Sequence, residues 1–313
     1  MRALVATGDE SLVSLGEVPD PQPGSAEILV DVDAFSLNRG ELRRLRSAPR
    51  GWRPGWDFVG TVARDPGTDG GLTVGQRVFG LAAEGSWAER LTISRNRIAI
   101  VPDKLDPIIA ATLPVAGVTA SRMLSSVRPL RSRRVLVTGG AGGVGRIAVQ
   151  LAQRQGADVT AVVGRLGRGS DLRDLGASSV IVGIDKAAGP YDVILESVGG
   201  SSLARCLELL DRGGVLISFG ISSGERAKID VAAFYPRQAT MRGYFLLDDV
   251  VDRPPASDLE KLARDVIRGN LRIDIPLVLP WTDVRVALRA LSDRSLEGKA
   301  VVVVERNADH LTN

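Results

Sequence analysis

Residues 135–150 read V-L-V-T-G-G-A-G-G-V-G-R-I-A-V-Q. An apolar run of strand type stops at a cluster of glycines and resumes with helical spacing, which predicts a strand, a tight turn and a helix start. Gly140, Gly142 and Gly145 satisfy G-x-G-x-x-G. Alone that pattern is weak, because glycine-rich turns are common; between a strand and a helix it is strong. There the unpaired N–H groups at the helix start, together with the helix dipole, favour a pyrophosphate, and the missing Cβ atoms let phosphates approach. The expectation is a dinucleotide site with its turn at Gly140, Gly142, Gly143 and Val144, and with Gly145 letting the helix lie close to the sheet. The plain alternative is a strand-to-helix turn that holds no ligand.

Strand-like runs follow at D-V-T-A-V-V-G, S-V-I-V-G, Y-D-V-I-L-E-S-V and G-V-L-I-S-F-G, each rich in valine and isoleucine. Strands so apolar are usually buried on both faces, and their alternation with helical patterns predicts an α/β region with a doubly wound parallel sheet. Before about Ala110 the pattern differs. Short alternating runs such as A-E-I-L-V-D-V-D-A-F, F-V-G-T-V-A, Q-R-V-F-G-L and W-A-E-R-L-T-I are separated by P-Q-P-G, D-P-G-T-D-G-G and A-A-E-G, a β-rich layout with many turns. One helical pattern begins near Ala110. Two amphipathic helices, Ser257 to Gly269 and Thr282 to Ser292, and a strand K-A-V-V-V-V-E close the chain.

Which dinucleotide fits is read at the end of the second strand of the α/β region, where sites that prefer NAD place a carboxylate for the ribose 2′-hydroxyl. Here the strand ends at Gly164 and runs into Arg165, Leu166, Gly167 and Arg168. Two guanidinium groups suit a 2′-phosphate through charge-assisted hydrogen bonds, so the expected cofactor is NADPH rather than NADH. The competing reading makes these arginines ornaments of an exposed loop.

The 313 residues, 44% of them hydrophobic, allow one large or two ordinary domains. One cysteine, Cys206, and one histidine, His310, exclude both an intrachain disulfide framework and a Cys/His zinc cluster. Basic residues exceed acidic ones by only 40 to 37, which predicts no nucleic-acid partner. The six arginines between Arg39 and Arg53 read first as a solvated helix face, second as a cationic rim for an anionic ligand. No apolar run is long enough for a membrane span and no leader is evident, so the expectation is a cytoplasmic protein with no membrane partner.

Eight blocks in order, F-S-L-N-R-G-E-L, P-G-W-D-F-V-G-T-V, L-P-V-A-G-V-T-A, V-T-G-G-A-G-G-V-G, L-G-A-S-S-V-I, Y-D-V-I-L-E-S-V-G-G, G-G-V-L-I-S-F-G and E-G-K-A-V-V-V, resemble the medium-chain dehydrogenase/reductase superfamily, specifically its zinc-free quinone-oxidoreductase-like branch. The resemblance implies a β-rich GroES-like catalytic domain over 1–118 and 252–313 and a Rossmann doubly wound parallel-sheet domain over 119–251. Zinc-binding members place ligands at positions matching Asn38, Trp56 and Val115, none of them a usual zinc ligand here, so no metal is expected. Asp57 matches an acidic neighbour of that metal.

Without a Lewis acid, an acceptor must spread the incoming charge itself, as a quinone or an α,β-unsaturated carbonyl does. The resemblance thus implies a metal-independent, NADPH-dependent reductase of such small molecules, working as a homodimer paired through the strand near A-T-M-R-G-Y-F-L. It implies that Asn38 is the catalytic residue, at the nicotinamide end of the cleft, bonding the cofactor ribose or the substrate oxygen; a turn-stabilising asparagine is the alternative. Thr119 is implied as a cofactor contact, or else a cap. Gly220, Val198 and Phe245 are implied as a shelf under the nicotinamide, or else as core. Trp52 and Trp56 line the substrate pocket or pack in the core. No tyrosine follows Asn38, so no general acid is named, and Cys206 reads as a small buried hydrophobe. Two other readings remain: an NADPH-binding redox sensor with little turnover, and a zinc-type alcohol dehydrogenase.

Overall fold

The computed structural model describes residues 1–66 and 71–305. The turn expected at 65–71 therefore lies partly, and His310 wholly, outside the described residues. The chain forms two compact units, one comprising Met1–Val115, Asp252–Asn270 and the described residues from Asp274, the other Ala116–Val251 with Leu271–Ile273.

The first unit opens with an antiparallel pair, β1 (Arg2–Ala6) and β2 (Val13–Glu17). Its main sheet is organised by β3 (Glu27–Ser36), which pairs antiparallel with β4 (Asp57–Arg64) and with β6 (Arg90–Ser94); β5 (Arg77–Leu81) and β7 (Ile98–Ile100) extend the sheet beyond β4. Along β3 the expected alternation holds through Ile28, Val30 and Val32, all fully buried, and then gives way to burial of Ala34, Phe35 and Ser36 in succession. The end of β3 thus lies in the interior, where Phe35 stacks on Trp87 with ring centroids 5.2 Å apart.

The second unit holds β8 (Arg134–Thr138), β9 (Asp158–Val163), β10 (Ser179–Val182), β11 (Tyr191–Glu196), β12 (Leu210–Ser218) and β13 (Thr240–Gly243). They form one parallel sheet in the order β10-β9-β8-β11-β12-β13, so the winding reverses beside β8. Val135, Leu136, Val137, Val193, Ile194 and Leu195 are fully buried, as strands covered on both faces require. Helices Gly143–Arg154 and Gly200–Glu208 follow β8 and β11.

The expected alternation fails on both sides of β10. Between β10 and β11 only the short 3₁₀ turn Ile184–Lys186 intervenes. Between β9 and β10 the chain makes turns rather than a helix, because Gly167, Gly169 and Gly176 take φ values of +83°, +66° and +102°. The single helical pattern near Ala110 also divides, into Pro107–Ala110 and Leu113–Ser125. Pro114 has no N–H and is tolerated only in a first helical turn, so a new helix starts there.

The chain then returns to the first unit. Helices Ala256–Ile267 and Val284–Ser292 stand close to their expected bounds, and β14 (Leu277–Pro280) and β15 (Ala300–Val303) complete the sheet order β14-β15-β3-β4-β5-β7. β15 runs antiparallel to β3 with Val301 opposite Ser36, which brings Lys299 beside residues 37 and 38.

Candidate active site

In the first unit the ends of β3 and β15 and the start of β4 converge on one carboxylate. Asp57 is fully buried, a costly place for a charge unless every oxygen is matched. Its Oδ1 accepts from the Val115 backbone N–H at 2.7 Å. Its Oδ2 accepts from the Asn38 amide nitrogen at 2.9 Å, from the Lys299 ammonium at 3.2 Å and from the Ser36 hydroxyl. Lys299 is 5% exposed and its three donors are all engaged: besides Asp57 they reach the Leu37 carbonyl at 3.0 Å and Asn38 Oδ1 at 2.6 Å.

Asn38 sits just before the helix Arg39–Leu45, with extended backbone. Glu41, three residues on, is fully buried and accepts from the Asn38 N–H at 2.7 Å and the Trp56 N–H at 2.8 Å. Burial pushes its carboxyl up to about 8, with the nearby Asp57 charge adding to the shift and Lys299 opposing it. Trp56 packs against Gly40 so closely that a Cβ there would lie 2.5 Å from the ring. Its indole N–H is buried without a partner. Trp52 lies under the Arg44 guanidinium at 4.5 Å and donates to Glu84 at 2.9 Å. Part of the arginine-rich stretch therefore stacks on an aromatic ring rather than simply facing solvent.

In the second unit the glycine turn is built by contact. Gly140 donates to the Val162 carbonyl at 2.9 Å, tying the turn to β9. A Cβ on Gly145 would lie 2.4 Å from the Gly139 carbonyl oxygen, so only glycine lets the helix Gly143–Arg154 start against the turn. Gly142, Gly143 and Val144 are half-buried at the head of that helix, whose first N–H groups have no intrahelical acceptors. Gly164 and Arg165 are exposed and Arg168 half-buried in the turns after β9. β8 and β9 pair directly, so both the glycine turn and the arginine turns leave the same edge of the sheet.

Val198 and Gly220 lie just past β11 and β12. A Cβ on Gly220 would stand 3.0 Å from the Ser197 carbonyl oxygen, and the Ser223 N–H bonds the Val198 carbonyl at 2.8 Å. The loop is shaped by Glu196, whose carboxylate accepts from Val198 and Gly199 N–H groups at 2.8 and 3.1 Å and from the Ser202 hydroxyl at 3.1 Å. Burial raises its pKa. Thr119 is buried in the helix Leu113–Ser125, while Phe245 after β13 is 60% exposed. Cys206 is fully buried, its thiol pushed up by burial.

The structure brings Asn38 and Trp56 together through Glu41, and the glycine turn together with the loop of Arg165 and Arg168. Sequence reasoning missed Lys299, Glu41, Ser36 and Glu196. For Glu196 a signal existed, a carboxylate directly after the apolar run Val193–Ile194–Leu195 at the end of β11.

A zinc ion needs three or four nitrogen, sulfur or oxygen ligands. The side chains of Trp56 and Val115 offer none, Asn38 Oδ1 already faces an ammonium, and Asp57 is bonded at both oxygens. These residues do not fit the metal. Among the described residues no group of three or more His, Cys, Asp or Glu is placed to hold one.

A family of zinc-binding dehydrogenases matches residues 143–264, a span that excludes Asn38, Trp56 and Val115. The chain is 25% identical to an acryloyl-coenzyme A reductase of Sulfurisphaera tokodaii, covering 96% of this chain and 99% of that one. It is 28% identical to a mycocerosic acid synthase-like polyketide synthase of Mycobacterium tuberculosis, covering 97% of this chain but spanning only 15% of that much longer protein. Among solved structures, the quinone oxidoreductase of Coxiella burnetii superimposes with a TM-score of 0.84 at 25% identity, over 97% of this chain and 99% of that one. A mycobacterial protein solved in complex with NADPH gives 0.85 at 26% identity, over 97% and 100%. The chain belongs to the medium-chain dehydrogenase/reductase superfamily, and within it to the quinone-oxidoreductase-like branch.

Proposed function

We propose that the protein is a metal-independent reductase that uses NADPH to reduce a quinone or an α,β-unsaturated carbonyl. The observation that carries this reading is the Lys299 ammonium bonded to Asp57 and Asn38, where a zinc enzyme would present ligands. With no Lewis acid accommodated there, the acceptor must delocalise its own incoming charge, which a conjugated carbonyl or quinone does. The acryloyl-coenzyme A reductase and the quinone oxidoreductase among the similar proteins, by their names, act on acceptors of this kind.

In this reading NADPH supplies the hydride. The head of the helix Gly143–Arg154, with Gly140, Gly142, Gly143 and Val144, holds its pyrophosphate. Gly164, Arg165 and Arg168 receive the 2′-phosphate. Thr119, Val198, Gly220 and Phe245 support the nicotinamide end. Asn38 donates to the substrate oxygen or the cofactor ribose, and Trp52 and Trp56 bound the substrate, Trp56 with an indole N–H still to satisfy.

The test is NADPH and NADH oxidation with quinones, enones, enoyl thioesters and simple ketones, with and without chelator. We expect turnover of the conjugated acceptors only, indifferent to chelator. Arg165→Ala with Arg168→Ala should reduce the preference for NADPH over NADH by about 10–100-fold, the worth of one or two charge-assisted bonds. Chelator-sensitive turnover of a simple alcohol would overturn the reading, and an unchanged preference would remove the two arginines from it.

A further inference from the structure

The amide of Asn38 lies between a group that can only donate and a group that can only accept. Lys299 offers three N–H donors and no lone pair, and the Asp57 carboxylate offers lone pairs and no proton. Asn38 Oδ1 stands 2.6 Å from the ammonium and Nδ2 stands 2.9 Å from the carboxylate. Turning the amide over would set NH₂ against NH₃⁺ and oxygen against carboxylate, so a single orientation is allowed. The ammonium also draws electron density toward Oδ1, which makes the remaining Nδ2–H a stronger donor, as in any polarised hydrogen-bond chain.

We propose that Lys299, paired with Asp57, is the positioning residue of the reductase: it locks and polarises the Asn38 amide as a donor. This rests on the reading of Asn38 as the group that meets the substrate oxygen or ribose. A charge fixed on the chain thereby does, through one amide, part of what a bound cation does in a zinc enzyme. The ion pair and its acceptors account for every Lys299 donor, so the ammonium does not itself reach substrate.

The experiment compares Lys299→Met with the double variant Lys299→Met/Asp57→Asn. The single variant leaves a buried carboxylate without its counter-charge and is expected to lose stability. The double variant removes both charges while keeping both shapes, so its melting temperature should return toward that of the unaltered protein. Its kcat with a conjugated acceptor should nonetheless stay low, by about 100-fold, on the scale of losing one donor to developing negative charge. NADPH affinity, read by fluorescence titration, should be unchanged if Asn38 meets the substrate oxygen and should fall with kcat if it meets the ribose. If kcat recovers together with the melting temperature, Lys299 is only structural and the proposal fails.

A second readout needs no turnover. With asparagine-selective ¹⁵N labelling, the Asn38 side-chain amide should exchange slowly with solvent in the unaltered protein and fast in the double variant. Equal exchange would overturn the proposal even if no acceptor were ever found. Conversely, failure of the unaltered protein to reduce any conjugated acceptor, with the exchange difference intact, would sink the proposed activity and leave the amide lock standing.

Discussion

The glycine turn of the second unit and the charged cluster of the first both lie where strands end, yet they are held by opposite means. The turn contains no charged side chain: it is made of backbone N–H groups, a bond from Gly140 to Val162 and the absence of a Cβ at Gly145. The cluster is made almost wholly of side chains that water would stabilise better, Asp57 and Lys299 kept inside by a complete set of partners and Glu41 by two backbone donors. A backbone site tolerates little added volume, and a charged site tolerates little change in charge. The two should therefore fail in different ways when altered.

The largest effect is expected from volume. Gly145→Ala places a Cβ 2.4 Å from the Gly139 carbonyl oxygen and 2.8 Å from the Gly140 Cα, both backbone atoms that cannot swing away. Overpacking of this kind should lower stability by about 3 kcal/mol. It should also weaken NADPH binding. Gly164→Ala is the matched control: nothing lies within 4 Å of its Cβ position, and a change of about 0.5 kcal/mol or less is expected. Denaturant melts of the two variants check this, and equal stabilities would break the distinction drawn for the turn.

The charged cluster should respond to pH. Glu41 holds its proton in the folded chain up to about 8, against an ordinary value of 4.5. Between these values the folded chain binds more protons than the unfolded one, so this contribution is greatest below 4.5 and is lost as pH rises through about 8. Glu41→Gln cannot titrate and should flatten that decline by on the order of 3 kcal/mol between pH 5 and pH 8. Its amide nitrogen would also face one of two backbone donors, so the variant should start less stable at pH 5 by about 1 kcal/mol. Melting temperatures across the range decide it, and parallel curves for the two proteins would show that Glu41 titrates normally.

The same contrast explains what could be read in advance. The glycine turn spans 140–145, and its strand and helix flank it directly, so period and spacing sufficed. The parallel sheet followed from strands with no polar face, and the failure of a helix between β9 and β10 came from glycines at 167, 169 and 176 whose positive φ values spacing does not reveal. The charged cluster had no local signature. Asp57 and Lys299 are 242 residues apart, and they meet only because β15 joins β3 in the register that sets Val301 opposite Ser36. Lys299 reads in sequence only as the first residue of the strand K-A-V-V-V-V-E, and Glu41 as part of a solvated helix face. Burial alone gives them a role, and burial of charge is what a hydrophobic pattern cannot foretell.

If recognition in the second unit is a backbone matter, its open sheet edge should follow the same rule. β13 ends the sheet, and all four of its residues are exposed. The Tyr244 N–H points back to the Ser218 carbonyl on β12 at 2.9 Å. In a parallel pair alternate residues face the neighbour, so Met241 and Gly243 turn their N–H groups to the open side. We propose that a second copy of the chain pairs there to form a homodimer. Met241→Pro removes one outward donor without touching the bonds to β12, and edge strands accept proline. The dimer dissociation constant, measured by sedimentation, should rise by about 30-fold, because both copies carry the substitution and two hydrogen bonds between them are lost. The monomer's melting temperature should barely move. A chain that sediments as a monomer before any substitution, or a dimer that Met241→Pro leaves unaltered, would show that β13 is not the pairing edge.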